Sequence, residues 1–226
     1  MQIHFNEEIE NLKASLLKMA GLVDEQVERV FTALETSDVQ LCKGIKSKDL
    51  EIDNYDNLIQ TQCENILALF QPVAVDLRFI LSALMINNQL ERCGDIAVNI
   101  SQRVKKTGNM ENLIKESQIL DMGHKAKEML KNSIDAFILN DVEIAIKVLE
   151  SDEIVDNFNK QIFSFLVERM KTDNALIEPC SHLIVLIRNI ERLADHATNI
   201  AENIVYYLEA KNIKHKRNWN SPTEEL

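Results

Sequence analysis

Residues 91–100 read ERCGDIAVNI, and residues 191–200 read ERLADHATNI. Glu, Arg, Asp, Ala, Asn and Ile recur at the same places, one hundred residues apart. Around them the apolar positions keep a three-four spacing: Ile86, Leu90, Cys93, Ala97, Ile100 and Val104 in one copy, Leu186, Ile190, Leu193, Ala197, Ile200 and Ile204 in the other. That spacing is the buried stripe of a helix. Packing alone explains a duplicated stripe. A duplicated polar face needs another reason, because most surface substitutions are nearly neutral and such positions drift.

The repeat extends well beyond this phrase. Shifted by 103 residues, Met19 falls on Met122, Ala33 on Ala136, and Asp38-Val39 on Asp141-Val142. Asp49 falls on Asp152, and Asp53-Asn54-Tyr55 on Asp156-Asn157-Phe158. The change from 103 to 100 places a loss of three residues around Pro72 and Pro179, where a turn absorbs it. Between the copies, KKTGNMEN (105–112) reads as a linker. The chain thus divides into a first unit over 1–107, a second over 112–211, and a short tail over 212–226.

Only five Gly and three Pro punctuate 226 residues, which predicts long helices with short connections. The expected helices span 4–36, 38–70 and 74–107, then 112–139, 141–172 and 176–211. Ser37-Asp38 and Asn140-Asp141 are the expected N-caps of the two middle helices. The fold class is all-α: two tandem homologous three-helix bundles, six long helices in all.

Composition narrows the function. A formal net charge of −11 argues against nucleic acid as a partner and suits a cation or a basic partner surface. No secretory signal is visible at the N-terminus, and runs such as Leu183–Ile187 are too short to span a bilayer. Cys42, Cys63, Cys93 and Cys180 form no paired motif and read as buried free thiols of a cytoplasmic protein. The basic run KNIKHKR (211–217) reads as a solvated terminus. No Ser or Cys stands at a telling spacing from a His and an acid, and there is no Gly-rich phosphate loop, so the chain reads as a non-enzyme.

Candidate chemistry lies in the acids. Asp49/Asp53, Glu91/Asp95, Asp152/Asp156 and Glu191/Asp195 are each four residues apart, so each pair shares a helix face. Chance alone would supply about six such pairs at this composition, so their number means nothing. Their placement does: all four coincide under the repeat, and only Asp24/Glu28 stands outside it. Carboxylates, with Asn carbonyls nearby, are hard oxygen ligands suited to divalent or trivalent ions such as Mg, Mn, Ca or Fe.

If the second and third helices of each half are neighbours, Asp49, Asp53, Glu91 and Asp95 meet at one site. Asp152, Asp156, Glu191 and Asp195 form its twin. Asn99 and Asn199 continue each row, with Asn54 and Asn157 as outer groups. On the wheel Glu91 and Asp95 fall about 140° and about 180° from the apolar stripe, which puts the sites on the outer surface. His196 follows Asp195 but faces Ile96 in the other copy, so a ligand role for it holds at one site only. Arg92 and Arg192 repeat beside the Glu, either as salt-bridge partners or as anion contacts.

These motifs resemble the PhoU family of bacterial phosphate-uptake regulators. The likeness rests on the doubled D-x-x-x-D and E-R-x-x-D-x-A-x-N-I and on PVAVDLR (72–78), and it covers about residues 1–210. It implies a cytoplasmic regulator linking the ATPase subunit of a phosphate ABC transporter to a membrane sensor histidine kinase, peripheral to the membrane through these partners. A homodimer is a further expected association. The resemblance also implies metal clusters at the eight acids named. The alternatives are a metal-storage protein and an accessory subunit of another phosphate or metal transporter. Where the family often reads E-R-I-G-D-H-A, the first copy has Cys93 and Ile96 and the second has Leu193 and Ala194. The second half also lacks the Asp-Leu-Arg element, so Asp76 and Arg78 belong to the first half alone, either at a partner surface or, for Arg78, as a helix cap.

Overall fold

The computed structural model describes residues 2–107 and 110–213, all helix, turn or loop, with no strand among them. Seven α-helices follow in order among these residues: α1 (Gln2–Thr36), α2 (Ile45–Phe70), α3 (Ala74–Val104), α4 (Glu111–Glu116), α5 (Ile119–Leu139), α6 (Val142–Thr172) and α7 (Ile177–Glu209). Six are long and α4 is only six residues. In the first half α1, α2 and α3 pack on one another; in the second α5, α6 and α7 do the same. The tail beyond Ile213, most of the basic run and the Gly108-Asn109 part of the linker lie outside the described residues.

The expected boundaries shift in two places, both for local backbone reasons. The first middle helix starts at Ile45 rather than at 38, because Gly44 takes a left-handed backbone (φ 80°) that ends the preceding turn. Asp38 therefore caps a 3-10 turn over Val39–Cys42, accepting from the Gln40 amide, and does not cap α2. Its counterpart Asp141 does cap a middle helix: its carboxylate accepts from the Glu143 and Ile144 amides at the start of α6. The second break is at Gln118, whose left-handed backbone (φ 62°) divides the expected 112–139 helix into α4 and α5.

The loss between the two shifts falls on one turn. Gln71-Pro72-Val73 joins α2 to α3, whereas Asp173 alone separates α6 from the 3-10 turn that leads into α7. Pro179 then sits in the first turn of α7, where the missing amide costs nothing.

The halves are held together by α3 and α7, which run antiparallel. Arg78 Nε reaches the Tyr207 carbonyl at 3.5 Å, near the start of α3 and the end of α7. Gln89 Oε1 meets His196 Nδ1 at 2.7 Å and accepts from Asn199 Nδ2 at 3.2 Å, near their middles. Every residue of both predicted stripes is buried, at 2 % exposure or less. One core runs from Leu12 of α1 to Ile204 of α7 without a gap between the halves. All four cysteines are free and buried in it. Among the described residues no helix is long and apolar enough to cross a membrane.

A second seam joins α1 to α5. Gly123 lies there, and a Cβ at that position would meet the Phe31 ring at 2.6 Å. Gly123→Ala gains about 1 kcal/mol of helix propensity but forces a buried ring to move, which typically costs about 1–3 kcal/mol. A net loss of stability in urea unfolding is expected, largely relieved in a Phe31→Leu background. An alanine variant as stable as the parent would contradict this close approach.

Candidate metal centres

The acids of each half gather at the seam between its second and third helices. Asp49 and Asp53 come from α2, Glu91 and Asp95 from α3; Asp152 and Asp156 come from α6, Glu191 and Asp195 from α7. In the first cluster Asp49 feels the charges of Asp53 and Asp95, and Glu91 those of Asp95, Asp56 and Asp53. In the second, Asp195 feels Asp152, Glu191 and Asp156. The structure thus brings each predicted set of four into one electrostatic neighbourhood. Among the described residues, however, no three acid, imidazole or thiol groups converge on a point as a finished ion cage.

The clusters are not on an open outer face. Seven of the eight acids are half-buried and only Asp195 is exposed as a residue. A wheel built on one stripe misses this because α3 is covered on several sides, by α1, α2 and α7, and α7 likewise by α3, α5 and α6. Gly94 lets α3 approach α2: a Cβ there would stand 3.1 Å from Asp49 Oδ1 and 3.1 Å from Ile52 Cδ1. The second copy carries the buried Ala194 at this place.

Burial and crowding act together on the carboxyls. Desolvation first, then the charges of Asp53 and Asp95, pushes Asp49 up to about 6 against a hydrogen bond from Gln26. Asp195 rises to about 6 as well, by desolvation of its carboxyl and then by Asp152, Glu191 and Asp156. Glu91 and Asp152 are raised for the same leading reason. Glu91 Oε2 is buried with no hydrogen-bond partner; the Arg92 Nε lies 3.3 Å away but is not aligned to donate. A second Arg92 contact, to Asp95 Oδ2 at 3.5 Å, is long and half-exposed, so it offsets little of the repulsion.

Several side chains had no signal in the repeat. Asp56, one turn beyond Asp53, joins the first cluster and accepts from Asn87 Nδ2 at 2.6 Å. Gln26 enters from α1, and Thr198 donates to Asp152 Oδ1 at 3.2 Å in the second cluster. Other expectations part from the clusters. His196 and Asn199 turn to Gln89 across the α3–α7 seam, and burial, then Arg192 and Arg92, lowers the His196 pKa, so it is a neutral interface residue. Arg78 reaches the C-terminal carbonyls of α7. Asn54, Asn99 and Asn157 are exposed.

The raised acids give metal-free stability a definite sign with pH. The folded state holds the Asp49 and Asp195 protons more tightly than the unfolded chain, where Asp titrates near 3.9. Stability is therefore lost as pH rises from about 4 to about 6 and levels off above that. Asp49→Asn is expected to flatten this slope and to stabilise the chelator-treated protein at pH 7.5. Urea midpoints for both proteins across that range check it. An asparagine variant that is less stable with an unchanged slope would contradict the desolvated, crowded cluster.

The same arrangement has relatives. The family model described as the PhoU domain matches residues 16–104 and again 119–204. A phosphate-specific transport system accessory protein PhoU homolog of Caulobacter vibrioides is 34% identical over 214 residues, covering 94% of this chain and 93% of the relative. One from Clostridium acetobutylicum is 31% identical over 210 residues, covering 92% and 96%. The crystal structure of PhoU from Pseudomonas aeruginosa superposes with a TM-score of 0.85 at 31% identity, over 92% of this chain and all of that one (100%). With both halves matched by the family model and near-full-length relatives, this chain belongs to the PhoU family.

Proposed function

We propose that this protein is a non-enzymatic regulator of phosphate uptake and of phosphate-starvation signalling. In this reading it is a cytoplasmic adaptor between the ATPase subunit of a phosphate ABC transporter and a membrane sensor histidine kinase. The relatives named as phosphate-specific transport accessory proteins support the transport side, as does a solved neighbour described as a phosphate transport system regulatory protein from Streptococcus pneumoniae. A scaffold without reactive groups acts by binding one state of a partner better than another, which shifts populations.

The observation that carries the reading is the pair of carboxylate clusters at repeat-equivalent positions, each partly buried and only partly compensated by a neighbouring arginine. The donor set fits Mg, Mn or Fe ions, and Glu91 Oε2 is a buried oxygen that accepts no hydrogen bond, with only the misaligned Arg92 beside it. Asp49, Asp53, Glu91 and Asp95 would hold metal on the first half; Asp152, Asp156, Glu191 and Asp195 would hold it on the second. Bound ions would supply positive charge and open coordination positions to an oxyanion or a partner carboxylate. The protein's own part is to hold α2 against α3 and α6 against α7, so that four acids share each seam and an ion would draw them together.

Elemental analysis per chain tests this, after purification without chelator and incubation with Mn²⁺, Fe²⁺ or Mg²⁺. Glu91→Ala/Asp95→Ala and Glu191→Ala/Asp195→Ala are each expected to remove a share of the metal and to weaken co-purification with the transporter ATPase or the kinase. Metal lost without any change in partner capture would favour storage. A metal-free parent protein would leave the acids as a partner-facing surface and overturn the two-site reading.

A further inference from the structure

A groove of about 870 Å³ opens at the end of the bundle where Lys105 and Lys106 after α3 meet α4, the end of α6 and the start of α7. None of the eight clustered acids lines it, so its chemistry is independent of any metal held at those acids. Part of the lining is basic: Lys105, Lys106 and Arg169, with the imidazole of His182 beside them. The acids of the lining are Glu116 and Glu178, and each is already engaged. Arg169 meets Glu116 at 3.7 Å, and His182 meets Glu178 at 3.9 Å. Lys105 and Lys106 are exposed and have no ion-pair partner among the described residues. Lys105, Lys106 and Arg169 against Glu116 and Glu178 leave this lining with a small excess of positive charge, in a chain of net charge −11.

The lining also includes apolar groups, Met110, Leu113, Leu176 and the Pro179 ring. A bare oxyanion would use the lysines and leave the apolar groups wet. The volume lies within the range of about 300–1,000 Å³ usual for small-molecule sites.

We infer that this groove binds a nucleoside phosphate, with its phosphates on Lys105 and Lys106 and its base against Met110, Leu113 and Leu176. The lysines act as flexible point charges, which suit phosphate oxygens that need no fixed fork. The apolar groups supply the area that separates a nucleotide from phosphate alone.

Calorimetric titration of the full chain with ADP, adenosine and inorganic phosphate tests this, in chelator so that metal-bridged binding at the acidic clusters is silent. One ADP per chain is expected, with adenosine and phosphate each at least tenfold weaker. Lys105→Glu/Lys106→Glu should weaken ADP tenfold or more, with an unchanged circular dichroism spectrum since both side chains are exposed. Leu176→Asn should weaken ADP while leaving the weak phosphate binding as it was. No ADP binding, ADP binding unaffected by the lysine changes, or phosphate binding as tightly as ADP would each overturn the inference.

Discussion

Packing α3 against α7 places two long helices at the centre, each then covered by two further helices of its own half. Each large side chain buried there stabilises the fold by roughly 1.5–3 kcal/mol, before the entropy of ordering is set against it. A like-charge pair four residues apart on a helix costs only a few tenths of a kcal/mol. The core therefore tolerates acids that the helix itself disfavours. The same packing explains their altered protonation, because a central helix has little free perimeter left. Glu91 and Asp95 sit in the narrow strip beside α2, and Glu191 beside α6, where solvent reaches them only in part, while Asp195 at the rim of that strip is more open.

The two clusters are alike in their acids and different in what supports them. Gly94 allows α3 to press on Asp49, while Ala194 stands at the matching place. Thr198 donates to Asp152, where the first copy has the apolar Val98. Gln26 reaches Asp49 from α1, and its repeat counterpart is the buried Met129. His196 has left the acidic face for the central seam and Gln89. If both clusters bind metal as proposed, their different hydrogen bonds would give them different affinities.

Much of this was legible in the sequence, for reasons that lie in period and repetition. The core stripes of α3 and α7 follow from spacing alone, and the four acids of each cluster from their coincidence under the repeat. What stayed hidden depends on helices meeting. Asp56 has no duplicate and joins its cluster only because α2 lies on α3. Gln26 is an ordinary polar residue until α1 is seen to bring it to Asp49. The half-buried state of the acids was missed because a wheel knows one partner helix and α3 has three. The break at Gln118 had no Gly or Pro to announce it.

The folded protein presents two crowded carboxylate seams, and we propose that a cation relieves them. Thermal unfolding at pH 7.5, with chelator and then with excess Mn²⁺, tests it most directly. Binding to the folded state alone adds about 2.7 kcal/mol at a hundredfold excess over Kd, so the midpoint should rise clearly. A variant with Asp49, Glu91, Asp152 and Asp195 changed to their amides should start higher in chelator and gain little from the ion. An unchanged midpoint in the parent, or an equal gain in the amide variant, would contradict the account.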